Sequence, residues 1–279
     1  MCPAPFLVPL SCDTITHGVT HGNERKDFMN RKGLRTALVA VFWIMLWQAA
    51  ASLVAMPVLL PGPLQTLEAL ARLGSVPSFW FSAGASLLRI MMGYVLALVF
   101  GVMLSILCAS YETAEALLSP LRTLIRSTPI TSFIILVLLW LNVDKVPIFI
   151  AFLTVFPVIW HGVQQGILQV DAELLEMSGV YAFKPMKVLR YVYVPSVTPH
   201  FYASAATGMG FAWKAGIAAE VIAKPAYSIG KNLQDAKVYL QTESLFAWTL
   251  VVILLSLALE MILKRMMGRK EQGTGGKLV

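Results

Sequence analysis

Charge is scarce in this sequence. Of 279 residues only 13% are Asp, Glu, Lys or Arg, and 57% are hydrophobic. Water-soluble domains carry about 25% charged and about 45–50% apolar residues, so the composition argues against one and points to the membrane. Cysteine is scarcer still. Cys2, Cys12 and Cys108 share no metal-ligand spacing, and two lie close to the N-terminus, which leaves no disulfide framework. Enzyme signatures are missing too. "SIGKN" (228–232) and "GTGGKL" (273–278) contain Gly-Lys but lack the Ser/Thr and the strand–helix setting of a phosphate loop. There is no H-E-x-x-H, no paired carboxylate site and no nucleophile elbow. The chain is therefore read as non-catalytic, with no metal and no cofactor of its own. The formal net charge of +7 does not imply nucleic acid, because the bases flank apolar runs, as membrane topology requires.

What is present is a series of long apolar runs. About 20 apolar residues in a helix cross about 30 Å of hydrocarbon. Six candidate spans follow: about 36–56 closed by Pro57, 82–108, 126–142, 146–166, 197–222 and 244–264. The third is short and contains Pro129, so it reads as a kinked continuation of "LLSPLRTLIRSTP". The predicted fold is all-α and polytopic, with a permease domain over 35–265. A tail over 1–34 precedes it and a tail over 266–279 follows it. Residues 1–28 show no helical period and no signal-peptide pattern. Either Met29, ahead of "NRKGLR", is the true start, or these residues form a cytoplasmic tail.

The bases set the orientation. With the N-terminus inside, the cytoplasmic segments hold fifteen of the Lys and Arg residues, among them Arg31, Arg122, Arg126, Lys184, Lys187, Arg190 and Arg265. The outer segments hold only Arg72, Lys145, Lys224, Lys231 and Lys237. This asymmetry predicts that both termini are cytoplasmic.

It also places "ELLEMSGVYAFKPMKVLRYVYVPS" (173–196) in the cytoplasm. Leu174, Leu175, Met177 and Tyr181 can share one helical face, and Glu173 and Glu176 suit the first turns. Pro185 suits a first helical position. The stretch therefore predicts two short helices joined near Ala182-Phe183-Lys184, with Pro195 stopping the second. From the residues alone, a helix pair lying flat on the inner leaflet explains the pattern equally well.

The spacing resembles the E-A-A loop of ABC importer permeases. Glu176 starts the pattern, Pro195 lies nineteen positions later, and Val192 and Val194 fill its apolar positions. Met177 and Ser178 replace the paired alanines, and Ala182 replaces a Gly that would permit a left-handed turn. "LLPGPLQTLEAL" (59–70), "SLLRIMMGYVLALVFGVMLS" (86–105), "LLSPLRTLIRSTPITSFIILVLLWLNV" (117–143), "VDAELLE" (170–176) and "AWKAGIAAEVI" (212–222) follow in family order. The subgroup resembled is that of the nitrate/sulfonate/taurine-type importers. The resemblance implies that Glu173, Glu176, Met177, Ser178, Ala182, Lys184, Pro185 and Pro195 form a coupling loop. That loop would dock on an ATP-binding cassette ATPase, which binds the ATP and Mg. It also implies a homodimeric pathway, an extracytoplasmic binding protein, and a multi-pass location in a bacterial cytoplasmic (inner) membrane.

Charges inside spans are costly and mark cavities or partners. Lys214, near mid-depth of the fifth candidate span, reads either as a pathway cation favouring an anion, or as a side chain that snorkels or pairs with Glu220 or another acid. Arg89 reads as structural, reaching outward. Ser127, Thr128, Thr131 and Ser132 either line the inner half of the pathway or cap a proline kink. His161 reads as structural. The leading function is an ATP-driven import permease for a small anionic solute; the alternative is a secondary transporter driven by an ion gradient.

Overall fold

The computed structural model describes residues 21–56 and 58–274, and among them there is helix but no strand. The chain divides into two compact units, Met1–Met56 and Pro57–Val279. The first contains α1 (His21–Val54), whose apolar part is Leu38–Val54. Because α1 begins at His21, residues 21–28 are helical, contrary to the sequence reading. Residues 1–20 of the proposed tail lie outside the described residues.

The second unit contains α2 (Pro63–Gly74), α3 (Pro77–Ser110), α4 (Glu112–Ser127), α5 (Ile130–Val137) and α6 (Val146–Leu168). α7 (Ala172–Val180), α8 (Pro185–Val188), α9 (Val194–Ala223), α10 (Ile229–Val238) and α11 (Thr242–Thr274) follow. Among the described residues three helices are long and apolar enough to cross a membrane: α3, α6 and α11 over Thr242–Leu263. The third candidate span is not one helix. α4 ends at Ser127, Thr128 is extended (ψ 132°) ahead of Pro129, and α5 is eight residues long. Eight residues rise about 12 Å, far less than the roughly 30 Å of hydrocarbon.

The core is a helix triplet in which α6 packs on both α3 and α9. α3 turns Ser82, Ser86, Gly93, Ala97, Gly101 and Ser105 inward, small residues that allow backbones to approach. A Cβ at Gly93 would collide with the carbonyl oxygen of Ile148 in α6. Fully buried Trp160, Ile159, Ile150 and Trp213 fill the remaining space. Some polar groups inside are satisfied across helices, the Tyr94 hydroxyl donating to Ala205 O at 2.9 Å and Trp213 Nε1 to Val252 O at 3.1 Å, while Trp160 Nε1 has no hydrogen-bond partner among the described residues.

The second helix of the predicted pair does not stop at Pro195. Helix continues from α8 through a π-helical turn, Leu189–Tyr193, into α9. Pro195 falls in the first turn of α9, where its missing N–H is tolerated, and the wide turn absorbs the mismatch: the Val194 N–H bonds Leu189 O, five residues back.

Candidate coupling loop and pathway face

The α7–α8 pair is built by local chemistry. Asp171 caps α7, its carboxylate accepting from the Glu173 N–H at 2.9 Å. The far end closes with two bonds, Phe183 N–H to Ser178 O at 3.0 Å and Ala182 N–H to Gly179 O at 3.0 Å. This is the Schellman arrangement, with Ala182 at the left-handed position, φ 47°. The replacement of Gly by Ala thus leaves the turn shape intact. Lys184 precedes α8 and Pro185 opens it. Lys187 Nζ stands 5.9 Å from the centre of the Phe183 ring.

The predicted loop residues fall into two groups. Glu173, Glu176, Met177, Ala182, Lys184 and Pro185 are exposed, and so are Val180, Tyr181 and Phe183. Ser178 is buried instead, its hydroxyl donating to Leu175 O at 2.7 Å, and Pro195 lies apart in α9. The exposed apolar cluster Met177, Val180, Tyr181 and Phe183 sits among charged neighbours.

Lys214 is exposed on α9, one turn from exposed Phe211 and two from exposed Thr207. It does not pair with Glu220. Lys214 and Glu260 line the same cavity of about 200 Å³ between α9 and α11. Phe211 also lines a second cavity, about 290 Å³, with Thr128 and Arg126. The kink thus meets the Lys214 face at one residue. Ser127 and Thr128 donate to Leu124 O at 3.2 and 2.8 Å, so they cap the kink, while Thr131 and Ser132 are exposed on α5.

Glu220 is fully buried. Its Oε2 accepts from Ser86 Oγ at 2.6 Å and from the Gly230 N–H at 3.2 Å; Oε1 lies 3.6 Å from Arg89 Nη1. Arg89 also reaches Asp144 at 3.0 Å and the carbonyls of Ala226 and Tyr227 at 2.9 and 3.2 Å. This knot ties α3, α9, α10 and the α5–α6 connection together. Arg89 is held by these partners rather than reaching outward as the sequence reading had it. Gly230 is required, because a Cβ there would sit 2.5 Å from the Val221 nitrogen.

A second cluster escaped the sequence reading. Arg122 of α4 donates to Gln164 at 2.6 Å and to Glu115 at 2.8 Å, lies 4.8 Å over the Trp160 ring, and Gln164 donates to Glu115 at 2.9 Å. Burial pushes the Glu115 carboxyl up, yet the Gln164 amide and the Arg122 guanidinium outweigh it and hold the group below the usual carboxylate range. Gln164, the buried amide in the apolar run of α6, was the available signal. His161 sits on the same helix, exposed and outside these bonds. Among the described residues no group of three or more His, Cys, Asp or Glu could hold a metal.

The sequence profile of the family described as "Binding-protein-dependent transport system inner membrane component" matches residues 97–272. A probable ABC transporter permease protein of Brucella melitensis biotype 1 is 29% identical over 208 residues, covering 74% of this chain and 84% of that protein. A taurine transport system permease protein of Escherichia coli (strain K12) is 26% identical over 242 residues, 85% of this chain and 88% of its own. A putative aliphatic sulfonates transport permease protein of Bacillus subtilis (strain 168) is 27% identical over 230 residues, covering 81% and 82%. A crystal structure titled as an amino acid ABC transporter with histidines superposes with a TM-score of 0.58 at 13% identity, over 73% of this chain and 97% of that one. That likeness is one of fold.

Proposed function

Because the chain belongs to the binding-protein-dependent transport system inner membrane component family, we propose that it forms half of the pathway of an ATP-driven importer. Two copies enclose the pathway, and both termini and the α7–α8 pair lie on the cytoplasmic side of a bacterial inner membrane. Six spans cross it, α1 supplying the first and the α4–α5 kink part of the third. An ATP-binding cassette subunit receives α7 and α8 and carries out hydrolysis with its own ATP and Mg; this chain contributes no catalytic group. An extracytoplasmic binding protein delivers the solute. The solute is a small anion, a reading supported by relatives named for taurine and aliphatic sulfonate transport and by one named for bicarbonate transport.

The observation that carries this reading is the exposed apolar cluster Met177, Val180, Tyr181 and Phe183, held rigid by the Asp171 cap and the Ala182 turn. An aromatic and Met centre inside a charged rim is the composition of a protein-docking patch. Mechanically, closure of two ATPase subunits pushes on α7–α8, and the unbroken helix from Pro185 through α9 carries that push to Lys214. The solute then exchanges between outward and inward access.

Single cysteines at Val180 and Lys184, in a cysteine-free background, test the docking. A membrane-impermeant thiol reagent is expected to label both from the cytoplasmic side, and several-fold more slowly with the ATPase bound. Labelling from outside, or labelling indifferent to the ATPase, contradicts the assignment.

A further inference from the structure

A cavity of about 710 Å³ lies where α3 and α6 end and α9 begins. No residue of the proposed coupling loop or pathway face lines it. Its walls are aliphatic and aromatic, with Val102 and Ile106 from α3, Val163 and Ile167 from α6, and Val197 and Phe201 from α9. Two wall hydroxyls are already spent on their own helices, Ser110 donating to Ile106 O and Thr198 to Val194 O. Apart from the tyrosine hydroxyls, a hydrophilic anion finds nothing in these walls to replace its hydration. A hydrocarbon chain loses nothing by entering, and α3 and α6 are both long and apolar enough to cross the bilayer.

The rim has its own chemistry. The wide π-helical turn supplies Leu189 and Tyr193 to the cavity, and Val194 follows. Exposed Arg190 adjoins Leu189 and precedes Tyr193 and Val194 by three and four residues; exposed Lys187 precedes Arg190 by three. These spacings put Arg190 within one turn of the cavity-lining Tyr193 and Val194, and Lys187 one further turn back, its ammonium beside the Phe183 ring. No acidic residue occurs between Glu176 and Glu220. Half-buried Tyr193 and Tyr202 also line the cavity, and their hydroxyls have no hydrogen-bond partner among the described residues. Tyrosine with an apolar ring and a free polar tip is the residue of the headgroup level.

We propose that this cavity binds one acyl chain of an anionic glycerophospholipid, whose phosphate is held by Lys187 and Arg190. Basic pockets between membrane helices on the cytoplasmic side take anionic headgroups. The occupant rests against the π-helical turn that joins the coupling pair to α9, so lipid binding stiffens that joint.

The test needs neither ATPase nor solute, so it fails or succeeds independently of the transport assignment. The full chain in detergent is titrated with phosphatidylglycerol or phosphatidylcholine of identical acyl chains, and bound lipid is counted by native mass spectrometry. Wild type is expected to prefer phosphatidylglycerol, by on the order of tenfold for two bases near a phosphate. The surface variant Lys187→Gln/Arg190→Gln is expected to bind both lipids equally. Val197→Trp, which intrudes into the cavity and shortens the room for a chain, is expected to bind both lipids more weakly; Ile106→Trp repeats that test from the opposite wall. Equal binding of the two lipids by wild type overturns the proposal. So does a preference that survives the double substitution, or unchanged binding in a tryptophan variant whose helical signal melts as wild type does.

Discussion

Two residues carry the sharpest local arguments. Ala182 occupies a left-handed position at φ 47° that glycine takes without cost. For an L-residue that conformation costs roughly 1–2 kcal/mol, while glycine loses about 0.4–1 kcal/mol more unfolded-chain entropy. Ala182→Gly is therefore expected to raise the thermal midpoint slightly or leave it unchanged, and Ala182→Val to lower it by several degrees, read by denaturation in detergent. A marked drop on Ala182→Gly contradicts the turn assignment. Lys214 is the second. On insertion scales a cation at mid-span costs about 2.5–3.5 kcal/mol, and Glu220, the acid that sequence spacing offered as its partner, is held by Ser86, Gly230 and Arg89. Lys214→Met is expected to assemble but to slow uptake of an anionic solute at least several-fold, with Lys214→Arg retaining more. Glu260, which lines the same cavity, provides the control. If Glu260→Gln restores the Lys214→Met variant, Lys214 serves an ion pair and not the pathway.

At the scale of elements, the sequence revealed what is local and periodic. The division into α7 and α8, Pro185 opening the second, and the long apolar helices α3, α6 and α11 follow from spacing and local chemistry, whereas the Asp171 cap was not read from the sequence. What else escaped depends on contacts between segments far apart in the chain. Arg122, Gln164 and Glu115 meet only because α4 folds back along α6, and no spacing in the sequence announces it. Ser86 and Gly230 meet Glu220 for the same reason. Pro195 misled because proline breaks helices in isolation, whereas here a π-helical turn precedes it and the helix runs on. That continuity joins α8 to α9 without a loop. Glu176 is exposed on α7, at the edge of the proposed docking patch. Glu176→Lys is expected to insert and melt normally while losing most ATP-dependent uptake, since a reversed charge in a docked interface costs several kcal/mol. Uptake at the wild-type rate would remove Glu176 from the coupling role.

At the scale of the whole molecule, α9 connects the Arg89–Glu220 knot, the packed triplet of α3, α6 and α9, and the exposed helix pair. Arg89 and Glu220 fix the C-terminal end of α9 to α3 and α10, and in the proposed function the α7–α8 pair drives its other end. In that reading the force comes from a partner that hydrolyses ATP. The most direct measurement is solute uptake into proteoliposomes containing this chain with its ATPase and its binding protein. Taurine, an aliphatic sulfonate and bicarbonate are each offered, with either ATP or an imposed proton or sodium gradient as the energy source. The account predicts uptake of at least one of these solutes only when ATP, the ATPase and the binding protein are all present, with no response to the gradient alone. Uptake driven by the gradient in the absence of ATP would contradict it.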